Sequence, residues 1–187
     1  MFGPAISYCN GGQILNCTDD GALHGIGGGI GNQTLIQGNT TTTNTRVGWY
    51  SDTAKLHDVT IANNHFGASL IPLQWNNPNP GSAHFKIINN TFVTSVNSPN
   101  TAAIRLDRDG LSDVLIRGNH VDYTGKGNYQ FMTNGCHITG LTIEDNSGTA
   151  TAGGSVFLSY NMSDILRPGN TVAHNHFKPS TPGLAHP

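Results

Sequence analysis

Charge is scarce in this chain: nine Lys and Arg stand against eleven Asp and Glu in 187 residues, a formal net charge of −2. Such a balance builds no field that would draw a nucleic acid or an anionic membrane surface, so neither is expected as a partner. Long apolar runs are missing too, and none approaches the ~18 residues of a membrane span. Sustained 3.6-residue periodicity is absent, and Ala, Leu, Glu and Lys do not gather in runs, which excludes a helical domain. Cysteine is limited to Cys9, Cys17 and Cys136. An odd count excludes a closed disulfide framework; it leaves open a Cys9–Cys17 bridge near the N-terminus or free thiols in a core. The start of the chain lacks the charged-then-apolar pattern of a signal peptide. A removed signal, a fragment or another export route is therefore expected. The nine histidines form no His-x-x-x-His or similar spacing, and no metal or cofactor is expected.

What the chain has instead is a phrase said six times. Val59-Thr-Ile-Ala-Asn-Asn-His-Phe66, Phe85-Lys-Ile-Ile-Asn-Asn-Thr-Phe92 and Val114-Leu-Ile-Arg-Gly-Asn-His-Val121 are the full copies. Thr34-Leu-Ile-Gln-Gly-Asn39 and Leu141-Thr-Ile-Glu-Asp-Asn146 are shorter, and Ile165-Leu-Arg-Pro-Gly-Asn-Thr-Val172 is degenerate. Its asparagines fall at 39, 64, 90, 119, 146 and 170, in steps of 25, 26, 29, 27 and 24. A drifting period of this size marks a solenoid, whose loops vary while its core does not. Apolar-x-Ile places two side chains on one face of a strand. The Asn ends the strand, its amide free to bond backbone at a turn and its backbone tolerant of the left-handed region. Stacked coils then set each Asn over the last in a ladder. Asn90 and Asn119 are expected to be buried in it.

A second strand precedes most copies: Val47–Tyr50, Ile71–Trp75, Ala102–Leu106, Tyr129–Met132 and Val156–Leu158. Twelve residues separate Trp49 from Ile61, Ile104 from Ile116 and Phe131 from Ile143, so the two strands are expected to hold one register. The glycine cluster Gly25–Gly31 reads as a turn, as does Thr40–Thr45. In the degenerate copy Arg167 replaces the Ile, and Val172-Ala-His-Asn175-His-Phe177 is an alternative phrase. Residues 1–177 thus read as one solenoid domain, with 1–21 as a first coil or N-terminal cap and 178–187 as a C-terminal tail.

Ile104-Arg-Leu106 followed by Val114-Leu-Ile-Arg-Gly-Asn-His-Val121 resembles the repeat of the right-handed parallel β-helix. That is the fold of pectate lyase-like proteins, polygalacturonases and many phage tailspikes. The resemblance covers residues 22–177 and implies an all-β, single-stranded right-handed parallel β-helix of about six to seven coils. It implies a polysaccharide partner, an extracellular or virion-surface location and, for a tailspike fragment, a homotrimer. A leucine-rich repeat also fits Leu56-x-x-Val-x-Ile-x-x-Asn-x-Phe66, but needs a convex helical segment that the intervening residues do not supply.

Chemistry is sought on outward columns of the second strand. With Ile104 and Leu106 inward, Arg105 faces out, in a column with Gln74, Tyr50 and Met132. Asp52, Asp107 and Asn134 share the next column, nine residues before their isoleucines. Asp107 and Asp109, about 6.6 Å apart if extended, are the candidate catalytic carboxylates, at a separation that suits an inverting glycosidase. Arg105, Arg108, Gln74, Tyr50 and Asp52 are the candidate substrate contacts, and His57 or His84 a candidate base. Trp49 and Trp75 count inward, as core. The Asn-Thr-Asp, Gly-His-Gly and Arg-Ile-Lys signatures of polygalacturonases are absent, and only the Asp19-Asp20 pair is similar to that family's paired aspartates. Two functions therefore stand: a lyase or hydrolase of a polysaccharide, and a non-catalytic structural or glycan-binding module.

Overall fold

The computed structural model describes residues 3–6, 9–21, 24–28, 31–42, 47–51, 56–67, 71–75, 81–94, 101–106, 111–123, 129–134, 137–149, 157–159 and 165–178. Every regular element among them is a strand, and every strand pairing is parallel. The chain visits three sheets in turn and repeats the circuit, which is a parallel β-solenoid. Between the copies stand the strands Ile71–Trp75, Thr101–Leu106 and Tyr129–Asn134, where a leucine-rich repeat would carry its helix. No described helix is long and apolar enough to cross a membrane.

Sheet 1 stacks Ala5–Ile6, His24–Gly28, Val47–Ser51, Ile71–Trp75, Thr101–Leu106, Tyr129–Asn134 and Phe157–Ser159. Sheet 2 carries the repeated phrase. Its first two rungs are each broken in two, as Cys9–Asn10 with Gln13–Leu15 and Gly31–Asn32 with Leu35–Gln37. Leu56–Ala62, Ser82–Ile88, Leu111–Arg117, Ile138–Glu144 and Thr171–Ala173 follow. Sheet 3 stacks the short strands after the Asn, from Thr18–Asp19 to His176–Lys178. Residues 5–19 therefore make a complete first coil in register with the second.

The anchor isoleucines align as one column: Ile14, Ile36, Ile61, Ile87, Ile116, Ile143 and finally Val172. Three residues after each anchor comes the ladder. Asn64 is representative. Its backbone N–H donates to Oδ1 of Asn90 at 3.0 Å, and its Nδ2 donates to the same oxygen and to the Ile36 carbonyl, each at 2.9 Å. Asn39, Asn64, Asn90, Asn119 and Asn146 are all buried. In the first coil Cys17 holds this position, its N–H donating to Asn39 Oδ1 at 2.9 Å. Its thiol is free, so no bridge to Cys9 forms. At the far end the ladder ends on Asn175, which accepts from Asn146, and not on Asn170. The alternative phrase around Val172, and not the Ile165 phrase, therefore supplies the anchor and ladder Asn of the last coil.

Several expectations are corrected. The left-handed residue is not the ladder Asn but the one before it: Asn16, Gly38, Asn63, Asn89, Gly118, Asp145 and His174 have φ of 52–68°. None of the ladder Asn residues is among the positive-φ positions. Most of the glycine cluster is strand, with His24–Gly28 in sheet 1 and Gly31–Asn32 in sheet 2, while Gly29 and Ile30 lie outside the described residues. In sheet 1 glycine is needed for close approach, since a Cβ on Gly27 would lie 3.0 Å from that of Ala5. Thr40–Thr41 is likewise a strand of sheet 3, with Thr41 buried.

The core is filled by the anchors and by aromatic contacts. Phe66 stacks on Phe92 with centroids 5.5 Å apart, Trp75 lies 4.8 Å from Phe85, and Phe131 lies 4.7 Å from Phe177. Sheets 1 and 2 differ in their outer faces. Sheet 2 alternates buried and accessible residues, as Leu111–Arg117 shows. Sheet 1 has three successive buried residues in three adjacent rungs: Leu73–Trp75, Ala102–Ile104 and Gln130–Met132. Successive side chains point to opposite faces, so sheet 1 is covered on both sides at these rungs.

Candidate functional site

Three residues before each anchor the backbone turns left-handed a second time. The positions are Gly11, Gln33, Asp58, His84, Asp113, Gly140 and Gly169, with φ of 52–89°. Asp and His are among the side chains that tolerate this region best after Gly and Asn. Parallel pairing stacks these positions over one another in successive coils. His84 lies between two carboxylates of neighbouring coils: Nδ1 is 2.9 Å from Asp58 Oδ1, and Nε2 is 3.4 Å from Asp113 Oδ2. All three side chains are more than half exposed. Pairs so exposed contribute little to stability, so the fold does not require this arrangement.

Beside it lies an open depression of about 380 Å³ lined by Asn10, Asn32, Gln33, His57, Asp58 and His84. Its residues come from the left-handed column and from the column one residue earlier, in which Asn10, Asn32, His57 and Ala83 pair in sequence. Asn10 Oδ1 accepts the Asn32 backbone N–H at 3.2 Å, which turns the Asn10 NH₂ away from that bond. Among the described residues the lining is amide, imidazole and carboxylate, with no apolar side chain and no Lys or Arg. No group of His, Cys, Asp and Glu able to hold a metal ion occurs among the described residues.

The residues expected from sequence are distributed as follows. Tyr50, Gln74 and Arg105 do occupy one register column. Its next member is Thr133, not Met132, which pairs with Ile104 and is fully buried. The reason is loop length. Four residues join Leu106 to Leu111 but three join Asn134 to Ile138, so the twelve-residue count slips by one. For the same reason Asn134 pairs with Leu106 and does not share a column with Asp107. Gln74 is buried, and Arg105 is partly accessible. Trp75 is core, as expected. Asp52, Asp107, Arg108 and Asp109, and the side chains of Trp49 and Tyr50, lie outside the described residues. Asp107–Gly110 is nonetheless the connection that leads straight into Leu111–Arg117, the strand that carries Asp113.

Of the two candidate bases, both His57 and His84 line the depression. Sequence reasoning missed Asp58, Asp113, Asn10, Asn32 and Gln33. A signal was there: Asp58, His84 and Asp113 stand at the same distance before their anchors. The Asp19-Asp20 pair lies elsewhere, at the start of sheet 3, where Asp20 accepts a hydrogen bond from the Thr42 hydroxyl. Burial, and secondarily the charge of Asp20, pushes the Asp19 carboxyl above its ordinary value.

No family model matches the chain, and searches of curated proteins and of solved structures return no match either.

Proposed function

We propose that this protein binds a polysaccharide through the outer face of sheet 2, as a glycan-binding β-helix of the pectate lyase-like and tailspike kind. The observation that carries this reading is the depression itself. It is open, lies across successive coils and is lined by amides, imidazoles and a carboxylate. Such groups donate and accept hydrogen bonds in pairs, which suits a ligand presenting rows of hydroxyls. The reading includes an extracellular or virion-surface setting, where such polymers occur, and a homotrimer as the assembly a tailspike fragment would take. It is tested by isothermal titration of the folded protein against a panel of soluble polysaccharides. Absence of heat with every polymer would count against it.

Cleavage is a second reading, favoured by one contact. Asp58 holds His84 Nδ1 at 2.9 Å, and an imidazole oriented by a carboxylate is a group able to move a proton. Asp107 and Asp109 are the further carboxylates this reading calls on. Lyase products absorb near 235 nm and hydrolase products carry new reducing ends, so both readouts on the same panel separate the enzyme from the binding module.

A further inference from the structure

We infer that the depression on sheet 2 is a subsite for an uncharged, hydroxyl-rich glycan whose chain runs along the solenoid axis, and that it rejects uronates. This rests on the polysaccharide reading above and narrows it. The direction follows from the rungs. Asn10 belongs to the first coil, Asn32 and Gln33 to the second, His57 and Asp58 to the third and His84 to the fourth. Three rung spacings make about 14 Å, which accommodates an oligosaccharide lying across the coils.

The charge preference follows from what faces the ligand. Asp58 is an acceptor only, and among the described residues no Lys or Arg lines the depression to offset it. The imidazole of His84 does not offset it for a ligand either, because both its nitrogens face carboxylates, Asp58 and Asp113. A sugar carboxylate would thus approach Asp58 across a half-solvated site, with Asp113 on the far side of His84, and be repelled. A sugar hydroxyl can donate to Asp58 and accept from the amides of Asn10, Asn32 and Gln33. The polar lining also argues against an apolar ligand, which needs a mostly hydrophobic pocket to compensate its loss of freedom.

The test titrates the full chain with cello-, manno- and xylohexaose and with hexagalacturonate, at fixed salt. At least one neutral hexasaccharide should bind on the order of tenfold tighter than hexagalacturonate. Gln33→Ala and His57→Ala should each weaken that binding by about tenfold, the loss of one or two hydrogen bonds. His176→Ala, on sheet 3, should leave it unchanged, and circular dichroism should show all three variants folded. Asp58→Asn with Asp113→Asn should narrow the gap to hexagalacturonate. Preferential binding of hexagalacturonate would overturn this inference while leaving the polysaccharide reading intact. Neutral binding indifferent to Gln33→Ala and His57→Ala would do the same. Silence toward all four probes and toward the polymer panel would remove both.

Discussion

Each coil turns left-handed twice within its long stretch of sheet 2, once three residues before the anchor and once two residues after it. The backbone hydrogen bonds at the two corners match: Gln33 donates to the His57 carbonyl as Asn16 donates to that of Gln37, each at 3.0 Å. Yet the residue that follows differs. After the second corner it is the ladder Asn. After the first it is Val59, Phe85, Val114 or Leu141, all buried and apolar. One backbone shape thus accepts either an amide stack or an apolar stack on its inner side. Asn170 demonstrates the equivalence. It sits at the first corner of the last coil, yet accepts the Leu141 N–H at 2.9 Å and donates to the Ile138 carbonyl at 3.0 Å, as a ladder Asn does. The corner is a local backbone device, and its occupant is chosen by what the neighbouring coils offer.

The comparison breaks most visibly at Asn119. Its Oδ1 accepts both the N–H and the Nδ2 of Asn90, and its Nδ2 donates to the Ile87 carbonyl. Asn119→Leu orphans these buried groups at about 1–3 kcal/mol each, so a loss of at least about 3 kcal/mol is expected in chemical denaturation. A loss below about 1 kcal/mol would mean the ladder is ornamental.

Leu141 sharpens the comparison from the other corner. By the register of its coil, an amide at 141 would meet the N–H of Val114 and the carbonyl of Leu111, as Asn170 meets Leu141 and Ile138. Leu141→Ala should cost about 2–5 kcal/mol through the cavity it leaves. Leu141→Asn should cost no more than Leu141→Ala, because two new hydrogen bonds at about 0.5–1.5 kcal/mol each offset the lost burial. A far lower melting temperature for the Asn variant than for the Ala variant would show that the two corners are not interchangeable.

The outer side of the first corner should matter least to stability. His84 is 55% exposed, with φ of 59°. His84→Gly loses two exposed contacts with carboxylates but relieves a left-handed side chain, and should stay within about 1 kcal/mol of the parent. The same variant should weaken glycan binding if the depression is the site. A large drop in melting temperature would make His84 a structural residue.

Asp19 gives the smallest effect, visible only as a pH dependence. Burial holds its carboxyl above the ordinary value in the folded state, so the native protein keeps that proton to higher pH than the unfolded chain. The group therefore disfavours the native state above its raised value, and the penalty fades as pH falls toward the ordinary value. Asp19→Asn should melt slightly above the parent at pH 7, with the difference closing by about pH 4. An equal difference at both pH values would contradict this.

Much of this was legible because each coil repeats the same local problem. The anchors and the buried Asn119 follow from apolar-x-Ile-x-x-Asn, and the strands at Ile71–Trp75 and Ala102–Leu106 from the apolar stretch about twelve residues earlier, with no tertiary information. Gly25–Gly28 misled because glycine suggests a turn, whereas at Gly27 it lets one rung lie close on another. Met132 and Asn134 were misplaced because one residue is missing from the connection before Ile138, a difference invisible until the strands are paired. Asp58 and His84 were each readable as corner residues, but their 2.9 Å contact was not.

The sequence by itself determined the rungs. A side chain's inward or outward sense depends on the strand's own alternation, and the ladder on an Asn at a fixed distance from its anchor, both set within eight residues. Tertiary structure decided the neighbours across rungs. Residues 26 and 29 positions apart, such as Asp58 with His84 and His84 with Asp113, meet only when parallel pairing fixes the stagger of coils whose connections differ in length. The depression is made of four such rungs, so its lining exists only once the coils are stacked.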